Sequence, residues 1–158
     1  MKKILLLLTI CLASIYCCSQ EVQKLTYDIK ALEGTWLAKS GTKSYEITFE
    51  KQILYLEPLK TRAEGVVGSI KYLENNIVIR TVNMDGFESP INVYFRDLNK
   101  FRIHYSEKYN ETKIFGIAYF DINSDGKTAR WYNLFKRQIP ESTKDTFDIP
   151  KELIFTKK

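Results

Sequence analysis

The segment FDINSDGKTARWY contains Asp121, Asn123 and Asp125 at alternate positions, followed by Gly126. Oxygen ligands at positions 1, 3 and 5 and a glycine at position 6 are how a twelve-residue calcium loop begins. Such a loop ends on a bidentate glutamate at position 12, where this chain has Tyr132. The segment therefore lacks the strongest ligand of the site, and we predict that it binds no calcium with high affinity.

The same segment also has the pattern of a β-hairpin. Asp125-Gly126 is a preferred tip for a two-residue type I′ turn, and such a tip fixes the register of both strands. The predicted opposite pairs are Asp121 with Arg130, Phe120 with Trp131, Tyr119 with Tyr132, Ile117 with Leu134, and Gly116 with Phe135. Opposite charges and aromatic rings across a strand pair stabilise a sheet. We therefore predict a hairpin in which Asp121 is the partner of Arg130 rather than a metal ligand.

Few residues are available for nucleophilic or transition-metal chemistry. His104 is the only histidine, and strand alternation places it on a polar face with Arg102 and Ser106. No Ser-His-Asp motif, phosphate-binding glycine loop or paired carboxylates stand out by spacing. We predict no catalytic residues, no metal site and no cofactor. The chain is expected not to be an enzyme, with an unrecognised carboxylate-based hydrolase as the remaining alternative.

The first residues have the pattern of an export signal. Lys2 and Lys3 precede the apolar run ILLLLTICLASI, which is short for a membrane span. Cleavage after Ser19 would make residues 1–19 a signal peptide and residues 20–158 a single mature domain. We therefore expect an exported protein, periplasmic or secreted.

All three cysteines, at positions 11, 17 and 18, lie in the leader, so the mature domain would have no disulfide and no thiolate ligand. A competing interpretation is an outer-membrane lipoprotein anchored through Cys17 or Cys18. The bulky Tyr16 before Cys17 argues against that site, because such sites usually follow a small residue. A membrane partner is expected only if one of these cysteines is lipidated.

The composition indicates a folded domain with a mildly basic surface. The formal net charge is +5, and the charges are scattered along the sequence without a basic stripe. We therefore predict no nucleic-acid partner. Aromatic residues make up 13% of the chain, which excludes a disordered protein. We expect a monomer.

Most of the chain has the two-residue period of half-buried strands. SYEITFE, INVYFR and FRIHYS alternate apolar and polar residues, whereas NIVIRTV and KIFGIAYF are apolar on both faces and should be covered on both sides. Turn residues separate the runs, among them Lys51-Gln52 and Asn75-Asn76. We predict an all-β fold, an antiparallel meander of about 9–10 strands forming a barrel, with a short N-terminal helix at residues 26–32. The last strand is predicted at residues 152–157. The polar connector before it is expected to cross one end of the barrel.

The sequence LEGTW at the start of the first strand is similar to a motif of a known family. Gly34-x-Trp36 after a short helical turn resembles the opening of a lipocalin-type (calycin-type) barrel. With the leader and the size, the chain is similar to small exported lipocalin-like proteins of unknown function in Bacteroidota-type bacteria. The resemblance implies that Trp36 plugs the closed end of the barrel. The chain departs from lipocalins in lacking the Thr-Asp-Tyr loop motif and a helix before the final strand.

Two functions follow from these patterns. The first is a non-enzymatic lipocalin-like barrel that binds a small apolar or aromatic ligand. Its predicted ligand-binding residues are Trp36, Tyr45, Phe49, Phe95, Tyr105 and Tyr119. The alternative is a filled barrel that acts as a protein- or glycan-interaction module of the cell envelope. Alternation alone leaves open whether the interior is hollow or filled.

Overall fold

A computed structural model of the protein describes residues 22–56, 60–84, 89–109, 112–137 and 146–158. The predicted signal peptide and its cysteines lie outside these residues, and so does the first half of the connector before the last strand. Among the residues that the structure does describe, no helix is long and apolar enough to cross a membrane.

Nine antiparallel strands make up the described fold, which confirms the predicted all-β meander. Their bounds are β1 Gly34–Ser40, β2 Lys43–Leu56, β3 Thr61–Glu74, β4 Ile77–Val82, β5 Ile91–Asp97, β6 Lys100–Tyr109, β7 Thr112–Ile122, β8 Thr128–Lys136 and β9 Leu153–Lys157. Eight of them close into a barrel because β2 pairs with both β1 and β3, while β4 is an extra strand beside β3. Strands β1, β3, β6 and β8 run toward one end of the barrel, and β2, β5, β7 and β9 run back.

The inward face of each strand is set by the predicted alternation. Tyr45, Ile47 and Phe49 of β2 are buried, as are Ile103 and Tyr105 of β6. Burial of such large apolar and aromatic side chains is the main source of stability in a barrel of this size.

Aromatic side chains fill the middle of the barrel. Trp36 and Phe49 both pack on Phe120, with ring centroids 5.3 Å apart in each pair. The largest fully buried side chains are Trp36, Trp131, Tyr105, Phe49, Phe101, Phe120 and Phe155. This part of the interior is therefore a packed core and does not form a channel.

Trp36 lies near the end of the barrel where β1 begins, which we call the tryptophan end. Its indole nitrogen donates a hydrogen bond to the Leu32 carbonyl oxygen at 2.8 Å. The short helix predicted at residues 26–32 is absent, and these residues form a bend and one turn. The turn is closed by the Leu32 amide, which donates a hydrogen bond to the Ile29 carbonyl oxygen. A helix of so few residues gains little from its own hydrogen bonds, so packing under the barrel decides its conformation.

Three expectations about strand boundaries and burial are wrong. The run KIFGIAYF in β7 was expected to be covered on both faces, but Phe115 on its outer face is 40% exposed. The turn predicted at Lys51-Gln52 is absent, because β2 continues through both residues and pairs with β3. Strand β4 is exposed where cover on both faces was expected, with Ile77, Val78 and Ile79 at 69%, 52% and 59% exposure. The strand extends past the closed part of the barrel, so no second layer of described residues covers these side chains.

The β7–β8 hairpin has the predicted register near its tip. Asp121 pairs with Arg130, Phe120 with Trp131 and Tyr119 with Tyr132. Farther along, a register shift places Ile117 opposite Phe135 and Gly116 opposite Lys136, so the two predicted pairs there are wrong. The shift accompanies Asn133, whose φ of 56° interrupts the extended strand.

The hairpin tip differs from the predicted type I′ turn. Its i to i+3 hydrogen bond runs from the Gly126 amide to the Asn123 oxygen, and Gly126 has a positive φ of 65°, whereas Asp125 does not. The Asp125 carboxylate accepts hydrogen bonds from the amides of Lys127 and Thr128 at 2.8 and 3.0 Å. These bonds lower the pKa of Asp125 and stabilise the turn from within.

Candidate functional site

A cleft of about 520 Å³ opens at the end of the barrel where β2 begins and β3 ends, which we call the cleft end. Its lining residues are Lys43, Tyr45, Tyr72, Leu73, Ile79, Arg80, Phe147 and Asp148. They come from β2, β3, β4 and the segment before β9, so the site depends on strands that are distant in sequence. The lining combines three aromatic rings and two aliphatic side chains with three charged groups.

A buried carboxylate lies beneath this cleft. The side chain of Glu107, on the inward face of β6, is 1% exposed. Its Oε1 accepts hydrogen bonds from the hydroxyls of Tyr72 and Tyr105 at 2.6 and 2.8 Å, and its Oε2 accepts one from the Asp148 amide at 2.9 Å. The two hydroxyls also contact each other. These partners offset the cost of removing the carboxylate from water.

Arg80 joins the buried carboxylate to the cleft wall. Its Nη2 lies 3.0 Å from Oε1 of Glu107 and its Nη1 lies 2.8 Å from Oδ2 of Asp148. The guanidinium carbon stands 3.8 Å from the centroid of the Tyr72 ring, in a cation–π contact. Arg80 thus holds β4, β6 and the segment before β9 together from within the site.

The segment before β9 covers the cleft end. A polar connector was predicted to cross one end of the barrel at this point of the chain. Phe147 packs edge-on against Tyr105 with centroids 5.4 Å apart. Gly116 of β7 lies under the same ring, since a Cβ there would come within 2.6 Å of Cζ of Phe147. The glycine therefore makes room for the ring of Phe147, which is not the residue that the sequence placed opposite it.

The tyrosines of the site are held in their neutral form. Burial, followed by the charge of Glu107, raises the pKa of Tyr72 far above the usual value for a phenol. Burial is also the largest cause of the raised pKa of Tyr105. At the rim, burial and then the charges of Asp148 and Glu107 raise the pKa of Tyr45. Neutral phenols can donate hydrogen bonds to the carboxylate at any physiological pH.

This arrangement does not activate a tyrosine of the site as a nucleophile. A nucleophilic tyrosine needs a lowered pKa or a base that is free to take its proton. The pKa of Tyr72 is raised instead, and the neighbouring Glu107 is shielded and already accepts hydrogen bonds on both oxygens. Within the described part of the chain, no group of three or more histidine, cysteine, aspartate or glutamate residues could hold a metal ion.

The structure separates the six residues predicted to bind a ligand. Tyr45 lines the cleft, and Tyr105 lies beneath it as a donor to Glu107. Trp36 and Phe49 belong to the packed core and do not reach the cleft lining.

The other two predicted residues lie away from the cleft. Phe95 is on the inward face of β5 at the tryptophan end, where it is 41% exposed, stacks on Tyr27 with centroids 4.4 Å apart and packs edge-on against Phe101 at 6.3 Å. Tyr119 is half-buried beneath Arg96, whose guanidinium carbon is 4.4 Å from the ring centroid. Tyr119 lies opposite the exposed Arg102 and is therefore on the outward face of β7, so its predicted place in a ligand site is wrong.

Glu107 and Arg80, the residues at the centre of the site, were not predicted from the sequence. Glu107 lies two residues beyond Tyr105 on β6, so alternation could have placed it on the inward face with Ile103 and Tyr105. An inward carboxylate would then have required a cation and hydroxyl donors nearby. Arg80, the one charged residue of the NIVIRTV run, was the corresponding signal.

Comparison with known proteins gives a family without an assigned activity. A model described as a family of unknown function, DUF6705, matches residues 1–125, so the chain belongs to that family. No curated protein and no solved structure matches the chain. The match includes Tyr45, Tyr72, Arg80 and Glu107 but ends before the segment that carries Phe147.

Proposed function

We propose that this member of DUF6705 is an exported, non-enzymatic, lipocalin-like barrel that binds a small apolar or aromatic ligand at its cleft end. The observation that carries the proposal is the aromatic cleft built over the buried Glu107. Its volume of about 520 Å³ is within the range of small-molecule sites, which are about 300–1,000 Å³. Its mixture of aromatic rings with a few charged groups is also typical of such sites.

The cleft walls are organised in advance of binding. Tyr72 is fixed by Glu107 and Arg80, and the Tyr45 hydroxyl donates to the Asp148 carbonyl oxygen at 3.4 Å. Tyr45 also packs edge-on against Tyr72, with centroids 6.0 Å apart. A site whose side chains are already ordered loses less conformational entropy when a ligand binds. Such rigidity supports a carrier that holds its ligand between flat aromatic surfaces.

Lys43 and Arg80 give the ligand site its polar character. Lys43 is exposed at the rim, whereas Arg80 is already bonded to Glu107 and Asp148. A ligand with an apolar or aromatic body and one polar end would fit this distribution. The export signal predicted at residues 1–19 would put this activity outside the cytoplasm, in the periplasm or the medium, with an outer-membrane anchor as the alternative.

Mass spectrometry of organic extracts tests the proposal. We expect one compound to co-purify with the wild-type protein and to be largely lost from Tyr45→Ala, because this ring forms a cleft wall. Tyr55→Ala is the matched control, since Tyr55 lies on the same strand but is 44% exposed outside the cleft. Extracts without any bound compound, or equal retention by both variants, would contradict ligand binding in the cleft.

The packed interior favours a second candidate, a cell-envelope module that meets a protein or glycan at its surface. The rings of Trp36, Phe49 and Phe120 occupy the space that a deep ligand cavity would need. In that case the purified protein would carry no small molecule, and binding of the protein or glycan partner would depend on outward-facing residues. A pull-down on envelope fractions, compared between wild type and outward-face variants, tests this candidate.

A further inference from the structure

The outer face of strands β5–β8 collects cations and aromatic rings that are scattered in the sequence. Its cations are Arg96, Arg102, Lys113, Arg130 and Arg137, and its aromatic side chains are Tyr94, Phe115, Tyr119, Tyr132 and Phe135. Cross-strand pairing places Arg102 between Tyr94 and Tyr119, so that cationic and aromatic side chains are direct neighbours. Two acidic residues lie among them. Asp121 is half-buried and accepts a hydrogen bond from the Tyr132 hydroxyl at 2.8 Å, and Asp97 lies 3.9 Å from Lys100.

Three of these cations have no acidic partner in the described part of the chain. Among the residues that the structure describes, Arg96, Arg102 and Arg137 lie within ion-pair distance of no carboxylate, although all three are exposed. The outer face of β2–β3 differs, because Lys51 lies 3.4 Å from Glu64 and Lys71 lies 3.0 Å from Glu46 there. The cations of the β2–β3 face are therefore paired with carboxylates, whereas these three guanidinium groups have no carboxylate partner in the described part of the chain, and Arg96 contacts the Tyr132 hydroxyl instead.

The rings beneath hold two of these guanidinium groups in place. Arg96 stands over Tyr119 at 4.4 Å, and Arg102 stands over Tyr94 at 5.4 Å from the ring centroid. A stacked guanidinium loses less rotamer freedom on binding and presents its N–H groups at the edges of its plane. Arg102 and Arg137 also lower the pKa of His104, after the larger effect of burial, as expected for a region of positive potential.

A shallow groove runs along the same face. It has a volume of about 200 Å³, and its lining includes Tyr94, His104, Phe115 and Arg137. Tyr94 and Phe115 are each 40% exposed, so apolar surface borders the charged groups. Arg137 lines this groove, and Arg102 lies next to it because it pairs with Tyr94 in the sheet. An extended chain with repeated negative charges could cross this face and meet several cations at once.

We propose that the outer face of β5–β8 binds an acidic polysaccharide, with Arg96, Arg102 and Arg137 pairing with its carboxylates. Guanidinium and carboxylate groups are both planar and form two parallel hydrogen bonds. Neighbouring strands are about 4.8 Å apart, so Arg96 on β5 and Arg102 on β6 can meet successive charged groups of one chain. Single-stranded nucleic acid fits less well, because it gains affinity from bases stacked on free ring faces. Here Arg96 and Arg102 already stand over the rings of Tyr119 and Tyr94.

This surface lies outside the barrel and shares no lining residue with the cleft. The proposal is therefore independent of whether the cleft holds a ligand. For the second candidate function, a cell-envelope module, this gives a defined binding surface, the outer face of β5–β8, and an acidic glycan as the partner.

The test is binding of polygalacturonate to the purified protein at fixed ionic strength, measured by calorimetry. The test variant is Arg96→Gln/Arg102→Gln, and the matched control is Lys51→Gln/Lys71→Gln, which removes the same charge from the acid-paired face. We expect the test variant to bind at least about tenfold more weakly, because two charge-assisted contacts are lost, and the control to change affinity by less than about twofold. Thermal melts of both variants show that each remains folded.

Three outcomes would overturn the proposal. The first is no measurable binding of polygalacturonate by the wild-type protein. The second is an equal loss of affinity in the test and control variants, which would indicate a general charge effect. The third is tighter binding of oligothymidylate than of polygalacturonate at the same ionic strength, which would assign the surface to nucleic acid. Uncharged dextran should not bind.

Discussion

The hydroxyl of Tyr72 donates a hydrogen bond of 2.6 Å to Oε1 of Glu107 inside the cleft end of the barrel. The pair joins β3 to β6, two strands that are not neighbours in the sheet. Because Arg80 and Tyr105 bond to the same oxygen atom, three side chains are fixed by one carboxylate. This contact makes the floor of the cleft a polar and rigid structure within an aromatic core.

Glu107→Gln should destabilise the protein strongly. The substitution removes the charge that faces Arg80 and replaces one acceptor oxygen by an amide nitrogen among hydrogen-bond donors. Breaking a buried ion pair in this way costs roughly 3 kcal/mol of unfolding free energy, measurable by urea denaturation. Glu50→Gln is the control, since Glu50 is an exposed carboxylate on β2. Equal stabilities of the two variants would show that the Glu107 network contributes little.

Alkaline pH should weaken the fold through Tyr72 and Tyr105. The pKa of each is raised in the folded protein, mainly by burial, whereas both ionise near pH 10 in the unfolded chain. The contribution of the two neutral phenols to the free energy of unfolding is therefore complete below about pH 10. Above that pH it falls by about 1.4 kcal/mol per pH unit for each tyrosine.

Urea unfolding at a series of pH values above neutrality measures this effect. The double variant Tyr72→Phe/Tyr105→Phe should show a shallower loss of stability with rising pH than the wild-type protein. Tyr55→Phe, which removes a hydroxyl from a ring that is 44% exposed, should keep the wild-type slope. A double variant with the wild-type slope would contradict the burial of these two phenols.

Calcium should leave the β7–β8 hairpin unaffected. Asp125 already accepts hydrogen bonds from the turn amides, and the Asn123 side-chain amide donates to Oγ1 of Thr128 at 2.7 Å. We expect no change in melting temperature up to about 10 mM calcium, a concentration above the dissociation constants of even weak calcium loops. Magnesium at the same ionic strength is the control. A melting temperature that rises with calcium alone, and not in Asp125→Ala, would contradict this prediction.

Gly116→Ala should disturb the cleft end through Phe147. The added Cβ would come within 2.6 Å of Cζ of Phe147 and 2.9 Å of the Phe135 carbonyl oxygen. Overpacking of this kind typically costs about 1–3 kcal/mol. In a Phe147→Ala background the cost should be smaller, because one of the two clashes is gone. Urea denaturation of the four proteins measures the coupling, and purely additive effects would show that Phe147 does not cover Gly116.

Strand identity was predictable because a half-buried strand must alternate its side chains. Ile103 and Tyr105 point inward as the pattern predicts. The register near Asp121 and Arg130 was also predictable, since a short tip leaves few ways to pair the strands. Beyond Asn133 the prediction fails, because a single residue with positive φ shifts the register and leaves no clear mark in the apolar pattern.

The alternation of apolar and polar residues does not predict contacts between segments that are distant in sequence. The predicted partner of Asp121 was Arg130, and the two do face each other in register. However, Asp121 accepts a hydrogen bond from the Tyr132 hydroxyl, while Arg130 lies 3.2 Å from Glu152 in the segment before β9. The cationic surface of β5–β8 was hidden for the same reason, since charges that are far apart in sequence become neighbours only when strands pair.

The central claim is that the cleft over Glu107 holds a ligand, and native mass spectrometry of the purified wild-type protein tests it most directly. We predict a population whose mass exceeds that of the polypeptide by one discrete small molecule, and that Tyr45→Ala reduces this population while Tyr55→Ala does not. A wild-type protein that shows only the polypeptide mass under non-denaturing conditions would contradict the claim.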